Sequence, residues 1–500
     1  MSELNDQMIL LGIDIGSSSI KVTLVDGEKG TALASASHPP KEMEIISKQS
    51  DWAEQDPDVW MDNLFLALDK VKAKAGNRFR EIGAIGISYQ MHGLVAIDKN
   101  GALIRNAIIW CDSRAVAIGG QAFKELGEEF CLSHLLNSPG NFTASKLRWI
   151  KIFEPENFER IYKIMLPGDY IAYRLTGEVT TTKSGLSEGL FWDFKENKVS
   201  DTLLAYYGFN REVLPIIVDT FSEQGFVTPA MANKIGIKAG IPVSYRAGDQ
   251  PNNAFSLNVM EPGEIAATAG TSGVVYAVSD KKEYDPLSRV NTFLHVNNTP
   301  QHPRLGILMN LNSTGILNSW IKNQFMGDQF SYDQMNGIAS QAPSGSDGLL
   351  VFPFGNGAER ILQNKHPGAS FHNLNFNIHN RSHMLRAMQE GIVFALNYGV
   401  EIMKGVGLDI KVVKAGRANM FLSNVFQQTF ADVSGAGVEL YNTDGSEGAA
   451  RGAGLGIKYY KNRAEAFAKL LLIKEIQPKP NDPLLEAYSK WKEKLAILLD

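Results

Sequence analysis

The hydrophobic pattern of this chain begins in the same way twice. Met8 to Ile15 is predicted to be a buried strand, Gly16 to Ser19 a tight polar turn, and residues 20–25 a returning strand. After Glu261-Pro262-Gly263, residues 265–269, 270–273 and 274–278 repeat the order of strand, small polar turn and strand. The two turns lie about half the chain apart, which favours two halves of the same topology, with a coincidental second hairpin as the alternative.

Helical patterns alternate with these strands. Asp56, a residue typical of N-caps, precedes Pro57 at the first helical position, and an apolar face then runs as far as Gly76. Further strands are predicted at residues 82–88 and 104–110, and further helices at 144–153, 169–175, 383–404 and 421–433. A C-terminal helix is predicted to have one apolar face, made of Leu484, Leu485, Tyr488, Trp491, Leu495 and Leu498. Alternation of this kind is typical of α/β folds.

Composition narrows the class of protein. With 500 residues and 44% hydrophobic content, the chain is long enough for a substantial core and for two or more domains. Its 49 basic and 54 acidic residues give a net charge of -5 without a basic block, which argues against nucleic acid as a partner. Cys111 and Cys131 are too few for a disulfide framework and are expected to be reduced, which favours the cytoplasm. Residues 1–7 are polar and acidic, so no export signal is expected, and no apolar run is long enough for a membrane-spanning helix.

Two aspartates stand at positions that suit phosphate and proton chemistry. Asp14 ends an apolar strand and is followed by Gly16, Ser17 and Ser18, whose amides and hydroxyls would hold phosphate oxygens while Asp14 holds Mg²⁺. Asp249 lies between Gly248 and Pro251, just before the predicted domain change, and is the candidate catalytic base. The alternatives are structural, since Asp14 also suits a capped hairpin turn and Asp249 a helix N-cap.

Other short motifs have simpler explanations or are absent. The turn of Gly270, Thr271 and Ser272 has the same composition as the first turn, and a matching pair of turns would face one nucleotide. Small residues from 448 to 456 indicate close backbone packing. Residues 185–189 fit the nucleophile elbow G-x-S-x-G, but no clear helix start follows, so we interpret this match as chance. No Gly-Lys dipeptide is present, which excludes a P-loop.

Seven strings, taken in order along nearly the whole chain, resemble the FGGY carbohydrate kinases: Gly12-Ile13-Asp14-Ile15-Gly16-Ser17-Ser18-Ser19, Trp52-Ala53-Glu54-Gln55-Asp56-Pro57, Gln90-Met91-His92-Gly93, Trp110-Cys111-Asp112-Ser113-Arg114, Ala247-Gly248-Asp249, Gly270-Thr271-Ser272-Gly273 and Glu447-Gly448-Ala449-Ala450. The Met-His-Gly string is the one that points to xylulose rather than glycerol as the sugar.

The resemblance implies an α/β fold of two ribonuclease-H-like domains, of the actin and hexokinase type, with a central cleft. Residues 1–258 would bind the sugar and residues 259–500 mainly the nucleotide. By the same resemblance, Met91, His92, Asp249 and Gln250 would contact the ketose, with Asp249 as general base and Asp14 organising Mg²⁺. The predicted ATP-binding residues are Gly16, Ser17, Ser18, Gly270, Thr271, Ser272, Gly416 and Asn419. Related kinases are often dimers, so a homodimer is expected.

The chain departs from the family pattern at three places. Tyr89 stands where Gly is more usual, Gln250 where Asn is common, and residues 415–419 replace a Gly-Gly-Gly-Ala string. These differences leave open another FGGY kinase acting on ribulose, gluconate or a related polyol. Two other classes remain as alternatives, namely a non-catalytic actin-like ATP-binding protein and, more remotely, a hydrolase that uses Ser187.

Overall fold

The structure is a computed structural model that describes residues 8–500, so the prediction about an export signal, which concerns residues 1–7, lies outside the described residues. Its strands are β1 Ile9–Ile15, β2 Ile20–Asp26, β3 Ala32–His38, β4 Glu54–Gln55, β5 Ile82–Tyr89, β6 Val95–Ile97, β7 Ala107–Ile108, β8 Lys163–Met165, β9 Thr180–Thr182, β10 Trp192–Asp193, β11 Lys198–Val199, β12 Ile216–Val218, β13 Val243–Gly248, β14 Glu264–Ala269, β15 Gly273–Ser279, β16 Asn291–Leu294, β17 Leu305–Leu311, β18 Leu350–Phe354, β19 Gly368–His372, β20 Val412–Gly416, β21 Gly437–Tyr441 and β22 Leu472–Ile476.

Its α-helices are α1 Pro57–Ala75, α2 Val116–Leu126, α3 Glu128–His134, α4 Thr143–Phe153, α5 Pro155–Arg160, α6 Pro167–Thr176, α7 Lys183–Glu188, α8 Asp201–Tyr207, α9 Pro229–Ile235, α10 Asp249–Ser256, α11 Gly315–Ile321, α12 Tyr332–Ala339, α13 Arg381–Gly405, α14 Asn424–Ser434, α15 Gly445–Gly456, α16 Arg463–Phe467 and α17 Asp482–Leu499. Among the described residues, no helix is both long and apolar enough to cross a membrane.

The chain divides into two compact units. The first comprises residues 8–258, 293–299 and 443–470, and the second comprises residues 259–292, 300–442 and 471–500. The chain passes from the first unit to the second after residue 258, where the sequence also predicts a domain change. Two later segments return to the first unit, which the sequence analysis did not foresee.

The main sheet of the first unit has the strand order β13-β5-β1-β2-β3. β2 is antiparallel to both β1 and β3, whereas β5 is parallel to β1 and β13 is parallel to β5. α1 packs on this sheet through a buried stripe that includes Trp60, Leu64 and Leu68. Asp56 caps α1 by accepting a hydrogen bond from the amide of Asp58, and Pro57 occupies the first turn, as predicted.

The second unit repeats this arrangement. β15 is antiparallel to β14 and β17, β20 is parallel to β14, and β21 is parallel to β20. The long helix α13 and the Trp491 side chain of α17 belong to its core. The duplication predicted from the two polar turns is therefore confirmed.

The helix α15 lies directly on the sheet of the first unit because glycines of β1 and β5 leave room for its backbone. A Cβ atom at Gly12 of β1 would lie 1.8 Å from the carbonyl oxygen of Ser446, and one at Gly86 of β5 would lie 1.9 Å from that of Ala449. Only glycine leaves room for so close a backbone approach. The small residues from 448 to 456 thus serve close packing, against these strands and also against helix α10, where a Cβ atom at Gly448 would lie 2.6 Å from Cβ of Ser256.

Three predicted elements need correction. The apolar run 104–110 forms only the two-residue strand β7, because its amides bond to separate places in the fold, that of Ile104 to Ala96, that of Ile108 to Leu94 and that of Ile109 to Ala53. The helix predicted at 421–433 begins at Asn424, since Ser423 caps it and a 3₁₀ turn precedes it. Leu485 of the C-terminal helix is exposed, so that the buried face is narrower than its apolar pattern suggests.

Candidate active site

Asp14 lies at the carboxyl end of β1, where it pairs with Lys21 of β2 and Ser88 of β5. The carboxylate is half-buried. Burial raises the pKa of Asp14, as does the negative charge of Asp444, while the Ser88 hydroxyl and Lys21 act in the opposite direction. A carboxylate at this place costs stability, so packing does not explain it.

The N-terminus of α15 meets this carboxylate. A Cβ atom at Gly445 would lie 2.6 Å from Oδ2 of Asp14, so that a larger residue at this position would displace the carboxylate. Asp444 caps the helix by accepting hydrogen bonds from the amides of Ser446 at 2.9 Å and Glu447 at 3.1 Å. Nζ of Lys21 donates to Oδ2 of Asp444 at 2.6 Å. No pattern in the sequence indicates that Asp444 belongs to this site, because it is far from Asp14 along the chain.

Asp249 is the first residue of α10, immediately after β13. The N-cap is Gly248 and has no side-chain bond, so the alternative that Asp249 is an N-cap is wrong. Burial raises the pKa of Asp249 to about 7, and the negative charge of Asp14 contributes to this rise. Hydrogen bonds from Gln250 lower the pKa in part. Asp14, Asp249 and Gln250 are therefore brought together.

His92 follows β5 in a left-handed backbone conformation, with φ of 59°. Its Nδ1 donates a hydrogen bond to the carbonyl oxygen of Glu188 at 2.9 Å, and its own carbonyl accepts one from Nζ of the buried Lys146 at 2.9 Å. The imidazole ring also contacts Phe142 and Phe293, with centroid distances of 5.0 and 5.3 Å. These contacts fix the loop that carries two of the predicted sugar-binding residues.

Met91 approaches the strand end that precedes Asp249. A Cβ atom at Gly248 would lie 2.5 Å from Cγ of Met91 and 2.5 Å from Oε2 of Glu188. The structure thus places Met91, His92, Asp249 and Gln250 in one region of the first unit. Their role in sugar binding stays a prediction.

Glu188 is a residue of this region that the sequence analysis did not single out. It lies within the G-x-S-x-G string, whose Ser187 is buried. The Ser187 hydroxyl donates to the carbonyl oxygen of Ser184 at 2.7 Å and accepts from the amide of Leu294 at 2.9 Å. A serine bonded in this way is structural, which agrees with the interpretation of the motif as chance.

The polar turn of the first unit is anchored through its carbonyl groups. The amide of Gly16 donates to the carbonyl of Ser19 at 3.1 Å, and the carbonyls of Ser17 and Ser18 accept bonds from Gln55 at 2.7 Å and Met43 at 2.8 Å. The turn therefore has a fixed shape next to Asp14. Phosphate binding by Gly16, Ser17 and Ser18 stays a prediction.

The second unit brings together its own predicted nucleotide-binding residues. The carbonyl of Gly270 accepts bonds from the amide of Gly315 and the hydroxyl of Thr314, both at 2.7 Å. A Cβ atom at Gly270 would lie 3.4 Å from Nδ2 of Asn419. Thr271 and Ser272 complete the same turn, Gly416 ends β20, and Asn419 is exposed with φ of 52°. No ligand contact of these residues is established, so their role also stays a prediction.

Metal binding would depend on few protein ligands. In residues 8–500, no group of three or more His, Cys, Asp or Glu side chains is arranged to hold a metal ion. Asp14 and Asp249, two half-buried carboxylates that influence each other, are compatible with Mg²⁺, which commonly binds one or two carboxylates together with waters and phosphate oxygens.

Comparison with known proteins identifies the family. The N-terminal domain of the FGGY family of carbohydrate kinases matches residues 9–256, and the C-terminal domain of that family matches residues 265–455. Xylulose kinase of Haemophilus influenzae is 30% identical over 439 residues, 85% of this chain and of that protein. Xylulose kinase of Escherichia coli is 28% identical over 465 residues, 92% of both chains.

Solved structures agree with the predicted fold class. Xylulose kinase from Rhodospirillum rubrum has a TM-score of 0.86 and 25% identity, covering 98% of this chain and 99% of that one. Gluconate kinase from Lactobacillus acidophilus has a TM-score of 0.88 over 99% and 98% of the two chains, but at 22% identity this likeness concerns the fold alone. The two-domain α/β fold of the actin and hexokinase type is thereby confirmed. Since the family matches cover both units and run from residue 9 to residue 455, this chain belongs to the FGGY family of carbohydrate kinases, which use ATP as the phosphate donor.

Proposed function

We propose that this protein is a xylulokinase, which transfers the γ-phosphoryl group of ATP to the C5 hydroxyl of D-xylulose. Several relatives with 28 to 30% identity are named xylulose kinase and align with most of the chain. The observation that carries the proposal is the placement of Asp249 beside the Met91-His92 loop, with a carboxyl pKa of about 7.

Asp249 acts as the general base in this proposal. A base whose pKa lies near the working pH combines adequate basicity with a large ionised fraction. Asp249 accepts the proton of the sugar hydroxyl, while Met91, His92 and Gln250 hold the ketose in line. Because phosphoryl transfer leaves little covalent work to the protein, alignment supplies most of the remaining catalysis.

Asp14 is proposed to hold Mg²⁺ through its carboxylate, directly or through waters. When bound, the ion supplies charge neutralisation to the phosphate oxygens. The electrostatic cost of keeping Asp14 ionised beside Asp444 supports this role, because a cation would relieve that cost.

The two polar turns are proposed to bind the nucleotide. Gly16, Ser17 and Ser18 would contact phosphate in the first unit. Their counterparts in the second unit are Gly270, Thr271 and Ser272, with Gly416 and Asn419 near the nucleoside. The matching positions of the turns, each joining an antiparallel strand pair next to a parallel strand, support this assignment.

A panel of sugars with Mg·ATP tests the proposed function, with ADP release as the readout. We expect D-xylulose to give the highest kcat/KM, with ribulose, gluconate and glycerol lower and Asp249→Asn as the inactive control. A preference for gluconate or ribulose would replace xylulose by another substrate of the same family. ATP turnover that no sugar stimulates would favour the actin-like alternative.

Two further expectations accompany the proposal. Cys111 and Cys131 are free thiols, which suits the reducing cytoplasm. A homodimer is expected from the resemblance to related kinases and stays a prediction.

A further inference from the structure

Glu188 joins the Met91-His92 loop to the junction of β13 and α10, and these two places carry the predicted sugar-binding residues. Its Oε1 accepts a hydrogen bond from the amide of His92 at 3.4 Å, and its main-chain carbonyl accepts the bond from Nδ1 of the same residue. Its Oε2 is aimed at Gly248, where it shares the space above the glycine with Met91. One side chain therefore contacts the Met91-His92 loop and the residue that precedes Asp249.

The carboxyl group of Glu188 is costly at this place. The side chain is 1% exposed, and Oε2 has no hydrogen-bond partner among the described residues. Burial raises the pKa of Glu188 well above its ordinary value, and the negative charges of Asp249 and Asp169 add to this effect, although the His92 amide and the nearby Tyr89 side chain oppose it. A buried carboxyl oxygen without a partner destabilises the folded protein.

A buried acid that reduces stability and lies at a candidate site is explained more readily by function than by packing. We propose that Glu188 is a positioning residue, which holds the His92 loop against the Gly248-Asp249 junction in the geometry that binds the sugar. This inference rests on the proposed function, since it assumes that His92 and Asp249 contact a sugar.

Two substitutions separate positioning from structural support. Glu188→Met keeps the approximate volume but removes the acceptor for the His92 amide, whereas Glu188→Gln keeps an oxygen acceptor. We expect Glu188→Met to raise the sugar KM about tenfold or more, with the KM for ATP unchanged. The same variant should melt at the wild-type temperature or above it, because removing the buried carboxyl with its unpaired Oε2 outweighs the loss of the long 3.4 Å bond to the His92 amide. Glu188→Gln should restore the sugar KM to within about threefold of the wild type.

Glu390 provides the matched control in the second unit. It is also buried with a raised pKa, caused chiefly by burial, but both of its oxygens are bonded, to Gly345 at 3.0 Å, Ser346 at 2.9 Å and Arg386 at 2.7 Å. Glu390→Met should therefore lower the melting temperature and leave the sugar KM unchanged. The two variants are expected to show opposite patterns.

Steady-state kinetics and thermal unfolding of the full chain test the inference, with the sugar that the wild type phosphorylates best. The positioning role would be overturned if Glu188→Met left the sugar KM unchanged. It would also be overturned if that variant were less stable than wild type or insoluble. If the wild type prefers a sugar other than xylulose, only the proposed substrate is contradicted. The role of Glu188 is then tested by comparing the KM of wild type and variant for the preferred sugar. Absence of any sugar-dependent turnover would refute both.

Discussion

Asp249→Asn is the substitution whose effects on activity and on stability have opposite signs. Its expected effect on activity is a fall in kcat of about 10²- to 10⁴-fold, the contribution of a positioned general base. Its expected effect on stability is a gain, because the half-buried wild-type carboxylate is held against the charge of Asp14. The asparagine keeps the shape of the side chain and removes the charge.

The magnitude follows from the pKa of Asp249. Raising a carboxyl pKa from 3.8 to about 7 makes ionisation in the folded protein less favourable by about 4 kcal/mol. Solvent screening of a half-buried group reduces this figure, and we expect a gain of about 2 kcal/mol. Below pH 3.8 both the folded and the unfolded protein bind the proton, so wild type and variant should be equally stable. Between pH 4 and pH 7 only the folded wild type binds it, so wild-type stability falls with rising pH relative to the variant.

Urea unfolding of both proteins from pH 4 to pH 8 measures this difference, and kcat/KM over the same range measures the base. Wild-type kcat/KM should rise as the pH passes through about 7. Asp285→Asn is the control of opposite sign, because Arg289 holds the pKa of Asp285 below its ordinary value despite burial. That variant should be less stable than wild type above about pH 4. A stability difference for Asp249→Asn that does not change with pH, or turnover that survives the substitution, would refute the reasoning.

Three further predictions concern the region where α15 meets β1. Asp14→Ala should raise the Mg²⁺ concentration needed for half-maximal turnover at least about tenfold, since a carboxylate ligand is lost; an unaltered metal titration would argue for a turn-capping role. Gly12→Ala should prevent folding or cost at least about 3 kcal/mol in the free energy of unfolding, because its Cβ would overlap Ser446. Gly120→Ala in α2 is the control, because its Cβ would meet open space, and it should raise the free energy of unfolding by about 0.5 to 1 kcal/mol. Equal denaturation midpoints for the two variants would contradict the explanation from close packing. Asp444→Ala should lower the free energy of unfolding by about 1 kcal/mol, because the helix cap is lost. Asp444→Asn should retain most of the stability that the cap provides. Equal falls in melting temperature for the two variants would mean that the ion pair with Lys21 matters more than the cap.

Local patterns were sufficient for much of the fold. The hairpins β1-β2 and β14-β15 and the helix α1 follow from alternation, polar turns and an N-cap, all of which act within a few residues. The run 104–110 forms only a two-residue strand, because hydrophobicity alone does not distinguish a buried strand from a buried loop.

The sequence by itself determined the family, the duplicated strand-turn-strand units and the candidate residues Asp14, His92 and Asp249, because these depend on short strings and local periodicity. The tertiary structure alone decided that α15 returns to the sheet of the first unit and that Glu188 lies beside Gly248. It also decided the raised pKa values of Asp14 and Asp249. The physical reason is that burial and Coulomb interaction depend on distances in space between residues far apart in the chain, which no local pattern encodes.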